Sequence, residues 1–275
     1  MNRLFVAYKP PFIGSNAYLN RLKKRYGVKK AGFSGTLDPF ACGALIVAFG
    51  AYTKLFRFLK KRPKRYRATL WLGAKSPTLD IEQIRHITHT PKLCEEKISQ
   101  TLQSLVGEFR YRPPLYSAKK IKGKRAYELA HEGKEVELEE ISSQIYELKL
   151  LSYRHPFLTF EAEVSEGTYI RSLGERIAKS LGQEGSLSYL ERLKEGAFEY
   201  LGEKALDPID YLITKPNSTT LTPQQIFQGA KIPLKSLQIQ EPGLYHLLFD
   251  EFFTLIEIDA KGVHYLLNQI PRSFS

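Results

Sequence analysis

Apolar residues recur along this chain at two spacings, every second position in some stretches and every third or fourth in others. Leu19, Leu22 and Tyr26 fall on one face of a helix that Ser15 is placed to cap and Gly27 to stop. Residues 44–49 (ALIVAF) form a continuous apolar run, the pattern of a short buried strand, and a helix using Tyr52, Leu55, Phe56 and Leu59 follows. Residues 66–72 alternate, with Tyr66, Ala68, Leu70 and Leu72 on one face of a strand. Ile98, Leu102, Leu105 and Val106 make a second helical stripe that ends at Gly107. Leu158, Phe160, Ala162 and Val164 alternate again, and Ile170, Leu173, Ile177 and Leu181 mark a helix closed by Gly182.

These elements alternate without the steady βαβ rhythm of a doubly wound sheet. The expected fold class is therefore α+β, a mixed, mostly antiparallel central sheet with flanking helices, plus a small β-rich C-terminal appendage. Residues 207–222, with Pro208, Pro216 and a Ser/Thr run, read as a linker. Beyond them, residues 252–258 and 263–267 are strand-like, in a segment too small for an independent core, so it is expected to dock on the rest. The expected organisation is one domain over residues 1–208 and a small segment over 222–275.

Charge changes the picture more than composition does. The 275 residues are 43% apolar, enough for a sizeable core, and carry a net charge of +12. That total hides an asymmetry: residues 1–130 hold 27 Lys/Arg against 7 Asp/Glu, and residues 131–275 hold 14 against 22. The cations cluster: six between Arg21 and Lys30, eight between Lys54 and Arg67, seven between Arg110 and Arg125. The last two clusters contain no acid, and the third interleaves Tyr111, Tyr116, Pro113 and Pro114. Cations that meet phosphates beside rings that stack on bases point to an RNA partner, gripped mainly by residues 108–134. No apolar run is long enough to cross a membrane, and the N-terminus lacks the apolar core of a signal peptide. Two cysteines, Cys42 and Cys94, without CxxC spacing point to the reducing cytoplasm rather than to a disulfide scaffold or zinc site. His86 and His89 lack further ligands nearby, so no metal is expected; phosphate-loop, dinucleotide-binding and GxSxG motifs are absent from the sequence.

The candidate chemistry starts at residues 32–42, GFSGTLDPFAC, which set one carboxylate, Asp38, in a Gly- and Pro-bounded loop. Asp followed by Pro is also a good turn or helix start, so Asp38 reads either as a cap or as a cleft carboxylate. Gly32, Gly35 and Gly43 favour the cleft, because they admit a close neighbour. Arg171 falls in the first turn of a predicted helix, where the macrodipole disfavours a cation, so it either snorkels to solvent or pairs with a carboxylate elsewhere. Tyr66 and Tyr169 are each either core aromatics or rings stacked under a nucleobase.

Several ordered blocks across residues 6–196 resemble the bacterial tRNA pseudouridine synthase B (TruB) family. Lys9, Pro10 and Gly14 resemble its opening loop, GTLDP at 35–39 its aspartate block, and Lys64, Tyr66, Leu72 and Gly73 its KxY…LG strand. Pro113, Pro114, Ser117, Ala118, Lys119, Gly123 and Tyr127 resemble its PPxxSAxKxxGxxxY block. GTYIR at 167–171 and the pair Tyr189-Leu190 with Arg192-Leu193 complete the series. The resemblance implies an isomerase that converts uridine 55 in the tRNA T loop to pseudouridine without a cofactor or metal. It implies Asp38 as nucleophile, Arg171 as the group that orients it, and Tyr66 stacked on a flipped-out base. It places Tyr169, Leu190, Phe33, Lys9, Lys64, Lys119 and Lys120 at the substrate, and a truncated RNA-binding, PUA-like module at the C-terminus. The chain departs from the family pattern at Phe33, where a His is usual, at Tyr111, where a Gln is usual, and at residues 74–80, which retain Asp80. Expected partners are the tRNA T arm and neither membrane, metal nor guide RNA, with the chain acting as a cytoplasmic monomer. The alternative is a non-catalytic RNA-binding or RNA-folding protein, which needs none of Asp38, Arg171 and Tyr66; a guide-dependent pseudouridylase is a third reading that the short C-terminus disfavours.

Overall fold

A computed structural model describes residues 1–114, 120–121, 124–125 and 138–272, the two short inner pieces by backbone alone. Most of the expected gripping segment, including Lys119 and the Lys120 side chain, lies outside the described residues. Among those described, nine strands form one sheet: β1 (Arg3–Lys9), β2 (Ala31–Ser34), β3 (Cys42–Phe49), β4 (Lys64–Leu72), β5 (Gly107–Tyr111), β6 (Ile141–Arg154), β7 (Phe157–Val164), β8 (Gly185–Glu195) and β9 (Phe198–Glu199). The order along the sheet is β1-β3-β8-β4-β7-β6-β5, with β2 added on β3 and β9 on β8. Only the β3–β8 contact is parallel among these pairs, so the sheet is mixed and mostly antiparallel, as the alternation implied.

Burial explains why two strands read so differently. β4 alternates because one face packs into the main core while Arg65 and Arg67 point to the other side. That core is completed by α2 (Glu95–Ser104) and α3 (Ile170–Ser180), whose predicted stripes supply Ile98, Leu102, Leu173 and Ile177. β3 is buried at every position. Leu45, Val47 and Phe49 meet α1 (Ser15–Arg25), while Ala44, Ile46 and Ala48 meet a second apolar layer on the opposite face. A strand covered on both faces has no polar side to alternate with.

The second layer is a 3₁₀ helix, Gly50–Phe58, together with the C-terminal sheet. Tyr52 and Leu55 face inward as expected, but the turns are 3₁₀ rather than α. The C-terminal sheet runs β10 (Lys215–Asn217), β11 (Gly243–Leu248), β12 (Phe252–Asp259), β13 (Gly262–Pro271), and the short helix α4 (Pro223–Phe227) falls between its first two strands in sequence. Phe253, Leu255 and Ile270 join the layer beneath β1 and β3, and the Tyr52 hydroxyl donates to Pro271 O at 2.9 Å. Residues 207–222 are not a free linker. Leu212 is buried, Lys60 N–H donates to Tyr211 O and Ile213 N–H to Phe58 O, so the segment is tied into the second layer. Its Pro- and Ser/Thr-rich composition hid that contact, because pairing with residues 58–60 leaves no local signal.

Gly43 is where the parallel β3–β8 contact demands glycine. Its φ is +108°, and a Cβ there would lie 2.3 Å from Arg192 O. Gly43→Ala is therefore expected to destabilise the protein by about 3 kcal/mol or more, combining left-handed strain with a backbone clash. Denaturant unfolding checks this; a loss below about 1 kcal/mol would show that the strands separate easily here.

Candidate active site

The loop between β2 and β3 is held from three directions, and each hold belongs to a residue some distance away in sequence. Ser15, expected to cap α1, does not: the residue at the cap is Gly14. Its hydroxyl instead donates to Leu37 O and accepts from Leu37 N–H, both at 3.0 Å, one residue before Asp38. Lys9 is fully buried, and its ammonium donates to Pro10 O, Ile13 O and Pro39 O at 3.0, 2.6 and 3.2 Å, fastening the opening loop to the residue after Asp38. Burial pulls the Lys9 amine down to about 8. From below, Arg192 donates from Nη2 to Gly35 O and from Nε to Ala44 O, each at 2.8 Å.

Arg192 is itself part of a buried ionic set. Glu195, with no exposed surface, lies 3.4 Å from Arg192 Nη2 and 3.5 Å from Lys64 Nζ. Residues three apart on a strand normally face opposite ways, but a bulge between Arg192 and Lys194 turns Glu195 to the same side. Gly35, φ +65°, passes so close that a Cβ would sit 2.9 Å from Arg192 Nη1.

With the loop fixed, Asp38 turns away from the capping role and towards α3. Arg171 Nε lies 2.8 Å from Asp38 Oδ2 and Nη2 donates to Oδ1 at 3.0 Å, a two-point fork on one carboxylate. The remaining nitrogen, Nη1, donates to Thr78 O at 2.8 Å and lies 3.5 Å from Asp80 Oδ2. The Arg171 side chain is 3% exposed and that of Asp38 is 34%, so the cation is sealed beneath a carboxylate that meets solvent. Asp80 closes the far side. Burial pushes its carboxyl up, although Thr78 Oγ1 and Glu82 N–H both donate to it. Glu82 is raised too, by burial and then by the nearby charges of Asp80 and Asp38.

Asp38 opens into a cleft of about 290 Å³ whose walls include Tyr66, Lys64, Tyr169, Leu190 and Arg192. Six predicted residues, Asp38, Arg171, Tyr66, Tyr169, Leu190 and Lys64, thus converge on the cleft. Phe33 does not line the cleft; it sits on β2 opposite Val47, packed towards the α1 core. Lys9 lies behind the loop rather than in the cleft. The cleft's size and the Asp38 carboxylate held at its mouth suit a planar, uncharged ring laid against Tyr66 with an electrophilic carbon beside Asp38.

Sequence reading passed over what Tyr111 does. Its hydroxyl accepts Tyr169 N–H at 2.9 Å and donates to Gly167 O at 3.2 Å, so it braces the turn that delivers Tyr169 and Arg171. Tyr111→Phe strands the half-buried Tyr169 N–H at that turn. The expected loss is about 1–3 kcal/mol of stability, with slower turnover, read by denaturant unfolding and by rate on the same samples. Unchanged values in both would remove Tyr111 from this role.

Among solved structures, the chain matches a chain of a Cbf5–Nop10–Gar1 complex with a TM-score of 0.68 and 21% identity, over 98% of this chain and 85% of that one. It matches an H/ACA RNP bound to a substrate RNA containing 2′-deoxyuridine with a TM-score of 0.67 and 18% identity, over 98% and 86%. At such identities the likeness defines the fold, which is that of the pseudouridine synthases. A family model described as TruB family pseudouridylate synthase (N terminal domain) matches residues 23–170. The tRNA pseudouridine synthase B of a Nitratiruptor species is 62% identical over 274 residues, the full length of both chains. That of Campylobacter jejuni subsp. jejuni serotype O:2 is 48% identical over 99% of this chain and 100% of its own. The chain belongs to the tRNA pseudouridine synthase B family.

Proposed function

We propose that this protein isomerises a uridine of tRNA, uridine 55 in the T loop, to pseudouridine. The observation that carries the reading is the Arg171 fork on Asp38 at the mouth of a cleft walled by Tyr66, in a chain of this family. The target base is flipped out of the loop, at a cost of a few kcal/mol offset by phosphate contacts, and stacks on Tyr66. Asp38 is the nucleophile, attacking either C1′ or the base ring; both routes suit a carboxylate at this edge. The C1′–N1 bond breaks, the base rotates and a C1′–C5 bond forms; the bond to Asp38 then breaks to return its carboxylate, the C5 proton leaves with help from the Tyr66 hydroxyl on the cleft wall, and N1 takes up a proton. No electrons are gained or lost overall, so the scheme calls for no redox cofactor. Arg171 holds Asp38 aimed, and Asp80 and Thr78 O hold Arg171.

Tyr169, Leu190 and Lys64 line the base cleft in this scheme. Lys9 acts through the Asp38 loop, and Phe33 acts through β2. Lys119 and Lys120 belong to the T-arm grip. The division of labour is a catalytic domain over residues 1–208 and a small PUA-like segment over 222–275. Among the described residues no helix is long and apolar enough to cross a membrane. The protein works as a monomer in the cytoplasm, on tRNA directly and without a guide RNA.

Loss of the C5 hydrogen gives a direct assay. Transcribed tRNA carrying tritium at uridine C5 is expected to release one tritium per tRNA on incubation with the purified protein. Tight binding without release would favour the RNA-binding alternative.

A further inference from the structure

A second concavity, of about 500 Å³, adjoins the base cleft, and the two share a wall at Glu166. Its other polar lining is Arg57, Lys60, Lys61 and Arg62, four cations against that one carboxylate. The short stretch carrying three of these cations is held by backbone on both sides. Lys60 N–H donates to Tyr211 O, Ala197 N–H donates to Lys60 O at 2.9 Å, and Gly196 N–H donates to Pro63 O at 2.6 Å. The cations are therefore presented by a fixed backbone rather than by a free loop.

Glu166 is the resident partner. Arg62 Nε donates to its Oε2 at 2.6 Å and Lys61 Nζ lies 3.7 Å from Oε1. Arg62 is 77% exposed and Glu166 34%, so a diffusing anion has access to the pair. An exposed ion pair is worth at most about 1 kcal/mol, so a stronger anion can replace the carboxylate. Glu166 also stands immediately before the turn that carries Thr168, Tyr169 and Arg171. An RNA strand with one base in the Asp38 cleft can carry a neighbouring phosphate across this rim, because the two cavities share Glu166. A phosphodiester matches the Arg62 fork and the Lys61 charge as well as the carboxylate does.

We propose that this cavity is a phosphate subsite for the RNA strand entering the base cleft, with Lys61 and Arg62 as its ligands and Glu166 as the carboxylate that the phosphate displaces. The assignment rests on the RNA-modifying reading above and adds a second grip to the one expected at residues 108–134.

The test measures binding of unmodified tRNA transcript across a salt series, and tritium release, for the full-length protein and four variants. Replacing both ligands, Lys61→Ala with Arg62→Ala, is expected to weaken tRNA binding about tenfold or more. It should also lower the slope of log affinity against log salt by about two, one for each cation removed from the phosphates. Glu166→Gln moves the other way, tightening binding severalfold at low salt. Two controls on α3 make the same kinds of charge change away from the cavity: Lys179→Ala and Glu175→Gln, an exposed pair at 2.6 Å. Each control is expected to shift affinity less than about twofold. If cavity and control variants behave alike, the effect is net charge alone and the subsite is overturned. If wild-type protein modifies tRNA while the double variant binds and turns over like wild type, only the subsite fails. If wild-type protein neither binds nor modifies tRNA, the underlying reading fails with it.

Discussion

Asp38→Asn is expected to lower the rate of pseudouridine formation by about 10³-fold or more, the scale on which nucleophile removal acts. The amide matches the carboxylate in size, so the cleft keeps its shape, and Arg171 keeps Thr78 O and Asp80. What disappears is the carboxylate oxygen that makes the bond to the substrate in the proposed scheme. Affinity for tRNA is expected to stay within a few fold, because the phosphate contacts lie elsewhere. Single-turnover rates at saturating protein separate the two quantities. A rate near that of wild type would take Asp38 out of the nucleophile role.

Arg171→Lys carries the second large effect. One ammonium cannot reproduce the fork on Asp38 and the Nη1 contacts to Thr78 O and Asp80 together. Turnover is expected to fall about 10²-fold or more, through misplacement of Asp38. Stability falls as well, because the buried Asp80 carboxylate loses the guanidinium nitrogen beside it; breaking such pairs costs up to about 3–5 kcal/mol, with a retained lysine charge at the lower end. Rate and denaturant midpoint measured together check both effects. An unchanged rate would show that the fork does not position the nucleophile.

The parts of this site that were legible in sequence are those whose cause is local. Alternation placed Tyr66 on the inward face of β4, since a strand in the middle of a sheet with one polar face must alternate. Helical spacing placed Arg171 in the first turn of α3, where the unfavourable dipole left it either to snorkel or to find a distant partner, and the fork on Asp38 is that second outcome. The Gly- and Pro-bounded loop marked Asp38 because tight turns leave that signature.

The supporting contacts were illegible for an equally physical reason. Ser15 looks like a helix cap and instead bonds the backbone of Leu37, a choice made only when α1 packs beside the Asp38 loop. Glu195 joins Arg192 and Lys64 through a bulge in β8, and period-two reasoning assigns it to the wrong face. Arg192 was accessible by alternation from Leu190, two residues before it. The Tyr111 hydroxyl could not be assigned from its own neighbours, because two of its partners lie on the turn at residues 167–169 and the third, Ser143, lies on β6.

The most direct test of the central claim is carbodiimide mapping of pseudouridine in an unmodified tRNA transcript incubated with the purified protein. The isomerisation leaves mass unchanged, so the adduct-dependent stop of reverse transcriptase is the readout. The account predicts a new stop at the T-loop uridine, made without guide RNA or added metal and missing with Asp38→Asn. Tight tRNA binding with no stop at that uridine would contradict it.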